Sequence, residues 1–169
     1  MSFRLAFAIL SLSAPSQYPH PVNCVPDSLA RLRRSVDEIK ASEIVDAIEK
    51  LAVLDSGMRS LCPSLQGQEG KVALEVSRLL ERPELRLGAA RLLYRLGPNA
   101  RPALPAITRA YIGQHRESET IRQRLPFHSG NAIVTEESLK CLRLSLATKR
   151  PRRPHCKYLD ALDQWRPSP

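Results

Sequence analysis

Aromatic side chains make up only 5% of this 169-residue chain, and glycine occurs just 7 times. The residues that build pleated sheets and tight hairpins are therefore scarce, and a sheet-centred domain is disfavoured. No apolar run is long enough to cross a bilayer. Residues 5–12 form one of eight, against roughly 20 for a spanning helix. Cys-x-x-Cys is missing, which argues against a zinc ribbon or a thioredoxin-like centre. Gly-x-Ser-x-Gly, a glycine-rich phosphate loop and His-Glu-x-x-His are missing as well, so the common hydrolase, nucleotide and metalloprotease signatures are lacking. The histidines His20, His115, His128 and His155 are scattered and read as loop residues. His128-Ser129 precedes Gly130-Asn131, a turn-forming context. No catalytic residue, metal ligand set or cofactor is expected.

Leu, Ala, Arg and Glu dominate the middle of the chain, and they are helix formers. Their spacing predicts an all-α fold. Asp27 is placed to cap a helix with Leu29, Leu32, Val36 and Ile39 inward. Ser42 is placed to cap a second, with Ile44, Ile48, Leu51 and Leu54 or Ala52 inward and Gly57 near its end. The short connection predicts a helical hairpin. A third segment, residues 71–82, presents Val72, Val76, Leu79 and Leu80, and Pro83 stops it. Residues 84–96 carry Leu85, Ala89, Leu92 and Leu96 on one side. Gly97 is a candidate left-handed cap, and Pro98 prevents simple continuation. The next helix is expected from about Asn99, burying Leu104, Ile107 and Tyr111, with Pro105 near its start or at a kink. Thr135 is expected to cap a further helix, with Glu136 and Glu137 in its first turn. A last short helix, residues 157–165, gathers Tyr158, Leu162 and Trp165.

The formal charge of +9 is unevenly spread. Residues 24–70 carry 6 basic and 8 acidic side chains, a net of −2. Residues 71–126 carry 11 against 5, and residues 140–169 carry 8 against 2, so each is +6. A basic half of this kind attracts acidic proteins, anionic surfaces or nucleic acid with little discrimination. Nucleic-acid recognition usually adds stacking aromatics, which are few here.

The opening MSFRLAFAILSLSAPSQ has Arg4 as its only charge, then a short apolar core, then small residues. This is the pattern of a secretory signal peptide, with cleavage after Ser13 or Ser16. The alternative is a first helix that stays attached. Residues 17–26, with three prolines, read as an extended arm, residues 27–147 as the helical domain, and residues 148–169 as a basic, proline-rich tail. Export fits the even number of cysteines. Of the three possible pairings, Cys24–Cys62 and Cys141–Cys156 each bracket a local helical unit. Each closure is worth about 3 kcal/mol in the chain-entropy model. Localisation is expected to be secreted or periplasmic, or cytoplasmic or nuclear if the leader is retained and the thiols stay free.

VALEVSRLLERPELRLGAARLLYRLGPNARPALPAITRAY, residues 72–111, resembles the HEAT and HEAT-like helical repeats. The matching positions are Arg86, Ala89, Ala90, Leu93, Leu96, Gly97, Pro98, Ala103 and Leu104, in the form R-x-x-A-A-x-x-L-x-x-L-G followed by a proline-marked helix. Gly88, Ala89 and Ala90 let two backbones approach. The resemblance places a repeat at residues 71–113 and implies a stacked joint at Gly97-Pro98, a structural role for Arg86 and a protein-binding scaffold. It covers about a quarter of the chain. RESETIRQRLPFHSGN, which follows, is polar, is interrupted by Pro126 and Gly130, and lacks the paired alanines. An irregular helical bundle remains the alternative architecture.

The expected function is an exported, non-enzymatic binder or inhibitor, including the immunity type, that meets an unknown protein partner through Arg91, Arg95 and Arg109. The alternative is a basic module for polyanions, nucleic acid or anionic membrane, contacting through Lys149, Arg150, Arg152 and Arg153.

Overall fold

Seven α-helices follow one another along the described part of the chain, and no strand occurs there. The computed structural model describes residues 28–58, 65, 67–124, 130–148 and 156–164. The N-terminal segment, Asp27, Cys24, Cys62, His20, His128, His155, the basic run 149–153 and Trp165 lie outside the described residues. The helices are α1 (Ser28–Ala41), α2 (Ile44–Met58), α3 (Glu69–Ser77), α4 (Arg86–Leu96), α5 (Leu104–Arg124), α6 (Gly130–Ala147) and α7 (Lys157–Gln164). Short 3-10 segments, Arg78–Glu81, Pro83–Leu85 and Gly97–Ala103, join α3 to α4 and α4 to α5.

The hub is α4. It packs against α2, α3, α6 and α7, and it buries Ala89, Ala90, Leu92, Leu93, Tyr94 and Leu96. Small residues make this possible. A Cβ added at Gly88 would stand 2.6 Å from Leu51 Cδ2 on α2, so the glycine is what admits that leucine. At its far end α4 stops at Gly97, with φ +56° and ψ −134°, a region costly to any residue with a Cβ. Pro98 is the second residue of the 3-10 segment that opens there, and Pro105 falls at the second position of α5, where a missing N–H breaks no helical bond.

Several sequence expectations need correction. On α2 the inward residues are Ala47, Leu51 and Leu54, and Ile44 and Ile48 are exposed. Apolar residues occupy more than half of this helix's circumference, so periodicity alone did not choose the buried side. Ser42 does not cap α2 through its hydroxyl, which donates instead to the Glu38 carbonyl at 2.8 Å. The segment after Ser77 tightens to 3-10 rather than continuing as an α-helix to Arg82. The helix after Pro98 is 3-10 through Ala103 and becomes α only at Leu104. Thr135 is no cap. It sits in the second turn of α6, 7% exposed, and its hydroxyl donates back to Asn131 O at 2.8 Å. His115 is not in a loop but in α5, which runs through the polar stretch to Arg124.

The C-terminal element is tied down three ways. Cys141 on α6 and Cys156, just before α7, form a disulfide, as the local pairing anticipates. Leu159 is fully buried, and the buried Tyr94 hydroxyl of α4 donates to Asp160.

Candidate functional site

The arginines that the sequence offers as a recognition face are mostly drawn into the helix contacts. Arg86, the first residue of α4, is 7% exposed. Its Nε donates to Leu80 O at 3.3 Å, and its Nη1 donates to Gln114 Oε1 at 3.1 Å and Glu117 Oε2 at 2.7 Å. One guanidinium thus joins the turn before α4 to the middle of α5. Arg91 and Arg95, one turn apart on α4, converge on Asp55 of α2. Arg95 is in direct contact with that carboxylate, and Arg91 Nη1 stands 3.8 Å away. All three side chains are at most 17% exposed. Arg109 alone of the three proposed contact arginines lies open on the surface, on α5. Arg91, Arg95 and Arg109 therefore do not form one exposed patch.

Two more arginines bind α1. Arg82 Nη1 donates to the carbonyls of Ile39 (3.3 Å), Lys40 (3.1 Å) and Ser42 (2.8 Å), and its Nε donates to Glu84 Oε1 at 2.6 Å. It satisfies carbonyls that the end of α1 leaves without helical partners. Arg78 bridges Glu75 (3.1 Å) on α3 and Asp37 (2.6 Å) on α1, and Glu75 also accepts from Arg33 at 2.7 Å. Lys40 holds Glu81. The Glu81 carboxyl lies below its ordinary range, first because Lys40 donates to it and then through the fields of Lys40, Arg78 and Arg109, against the cost of burial. Glu84 is lowered too, by a hydrogen bond to its own backbone N–H and then by Arg82.

A cluster at the α5–α6 contact was not legible in the sequence. His115 Nδ1 lies 2.7 Å from Glu136 Oε1, and that carboxylate is 6% exposed while the imidazole is about half exposed. The Tyr111 ring stacks near His115 with centroids 6.0 Å apart, and the Arg143 guanidinium stands 4.4 Å over Tyr111. Glu136 is therefore a buried partner across two helices and not a first-turn charge. The available signal was its placement among Ile133, Val134, Leu139 and Leu142. Asp55 was missed in the same way, an acid set among Leu51, Leu54 and Met58. Both are interior acids on an apolar pattern, which need a cation or donor to be buried.

The residues that the sequence resemblance assigns to a repeat joint run along α4 from Arg86 to just past its end. Ala89 and Ala90 are fully buried, Gly97 closes α4 and Pro98 is exposed just beyond it. Among the described residues no group of three His, Cys, Asp or Glu stands close enough to hold a metal, and no helix is long and apolar enough to cross a membrane. No family model, no curated protein and no solved structure matches the chain.

Proposed function

We propose that this chain is an exported, non-enzymatic helical scaffold of HEAT-like type that binds a protein partner, as an inhibitor or immunity-type binder does. The contact surface is the outer side of α2. The observation that carries this reading is the exposure of Ile44 (54%), Val45 (71%) and Ile48 (49%) on one helix, beside the stripe Ala47, Leu51 and Leu54 that is buried. Together with exposed Ala52 they make an apolar strip, the kind of surface that marks partner contact more than solvation. Exposed Glu49 beside it, within the acidic front of the chain, favours a partner patch with a basic rim. Export is supported by the Cys141–Cys156 disulfide, since such bonds persist in oxidising compartments. The repeat reading is supported by the order helix, short turn, helix, proline-led helix over residues 69–124.

The rival reading, a module for polyanions or anionic membrane, is favoured by Arg101, Arg109 and Arg116, which are exposed and form no ion pair among the described residues. Its main contact, residues 149–153, lies beyond them.

The test is affinity capture with the wild-type chain and with Ile48→Asp, followed by purification of the enriched protein and calorimetric titration. We expect Ile48→Asp to fold and to bind at least about tenfold more weakly, the order for losing one buried aliphatic anchor. Equal affinity of the two chains would remove α2 as the contact.

A further inference from the structure

Arg78, Arg86 and Arg109 line one crevice, together with Glu81 and the apolar walls Leu80 and Ala110. Three elements deliver them: the 3-10 segment Arg78–Glu81, the first residue of α4, and α5. The crevice has a volume of about 220 Å³, below the roughly 300–1,000 Å³ of pockets for drug-sized ligands, so a nucleotide or flavin does not fit. Three guanidiniums and one carboxylate line it; Arg78 and Arg86 are paired with Asp37, Glu75 and Glu117, and Glu81 is held by Lys40 of α1, so the cation left over is Arg109. Arg86 is fixed by its bonds to Leu80, Gln114 and Glu117, with a side chain only 9% exposed. Arg78 is braced by Glu75 and Asp37. Arg109 differs from both, for it makes no hydrogen bond or ion pair among the described residues, although it lies near enough to Glu81 to act on that carboxyl. Two cations are thus set in place, and the third is at liberty to close on something else.

We propose that this crevice binds a small tetrahedral oxyanion of the phosphate class, clasped between Arg109 and the fixed guanidiniums of Arg78 and Arg86. The donors come from three separate elements and not from one side chain's planar fork. That arrangement suits oxygens pointing in several directions better than the two coplanar oxygens of a carboxylate. Apolar walls on one side lower the local dielectric and strengthen each contact. The site is separate from α2 and stands or falls independently of the partner-binding reading.

The experiment is a titration of the full chain with inorganic phosphate, against chloride at equal ionic strength and against acetate as the planar oxyanion. Wild type should give a saturable phosphate response that chloride does not reproduce and that acetate reproduces only weakly. Arg109→Gln should lose about tenfold or more in phosphate affinity, the order for one charge-assisted hydrogen bond. Arg101→Gln, the same charge change at an exposed arginine that does not line the crevice, should leave it unchanged. Circular dichroism establishes that both variants fold, and Arg109→Lys, which keeps the charge and loses the fork, carries the same test if Arg109→Gln does not. A phosphate response no larger than that of chloride would overturn the site. Equal losses in the Arg101 and Arg109 variants would also overturn it, because diffuse attraction would then be the cause, and acetate binding as tightly as phosphate would overturn the tetrahedral assignment.

Discussion

At the scale of single residues the molecule is held by arginines that act as cross-braces. Arg86 is the most buried of them, so exchanging it for leucine leaves Gln114 with one donor fewer and removes the ion pair to Glu117. Glu117 is 43% exposed and can rehydrate, which keeps the loss nearer that of hydrogen bonds to a charge than that of a fully buried pair. Arg86→Leu should therefore lower stability by about 2 kcal/mol in a urea titration. A change below a few tenths would mean that the brace carries no load. Gly97 poses a conformational demand rather than a spatial one, since a Cβ there would meet nothing within 4 Å. Gly97→Ala should cost about 1–3 kcal/mol, the usual range for a residue forced into that backbone region. Asp55 was the least expected of these residues. An acid on the buried side of α2 looks like a pattern error until Arg91 and Arg95 are seen to meet it, and one helix's sequence does not say which cation its neighbour will bring.

At the scale of elements, the stripes of α1, α3 and α4 were legible because their apolar residues recur at helical spacing on one side. Leu32, Val36 and Ile39, then Val72, Val76, Leu79 and Leu80, and then Leu85, Ala89, Leu92 and Leu96 are all buried as their spacing requires. On α2 the same rule placed Leu51 and Leu54 correctly but also turned Ile44 and Ile48 inward, because valine and isoleucine lie outside as well. For α6, Thr135 followed by two glutamates imitates a helix start, and only the tertiary pairing of Glu136 with His115 shows that the helix had begun earlier. The short α7 is the element most dependent on its ties, being eight residues long and anchored by Leu159, Asp160 and the disulfide. Reducing Cys141–Cys156, which closes a separation of 15 residues, should remove about 3 kcal/mol. Hydrogen exchange should speed first in residues 157–164 while α4 stays protected. Uniform acceleration along the chain would mean that α7 is part of the global unit and not a stapled addition.

At the scale of the whole molecule, much of the basic character is spent internally, on Asp37, Asp55, Glu75, Glu81, Glu84 and Glu117. Glu81 and Glu84 have lowered folded-state pKa values, and so does Asp46, first through Lys50 and then Ser42. A depressed carboxyl contributes stability that is complete above its unfolded value, about 4 for Asp and Glu, and that is lost as pH falls through the folded value. Stability should therefore be level from neutral pH to about 5 and decline below about 4. Lys40→Gln should flatten part of that decline. All three groups are near the surface, so each share is small. An acid limb unchanged in Lys40→Gln would place the dependence elsewhere.

If, as we propose, the partner docks on the apolar side of α2, it is not gathered by charge. The most direct test is the affinity of the purified partner measured across a series of salt concentrations. Apolar docking predicts an affinity that changes little with salt and falls with Ile48→Asp at every concentration. An affinity that drops steeply with salt and is indifferent to Ile48 would contradict it and would assign binding to the basic surface.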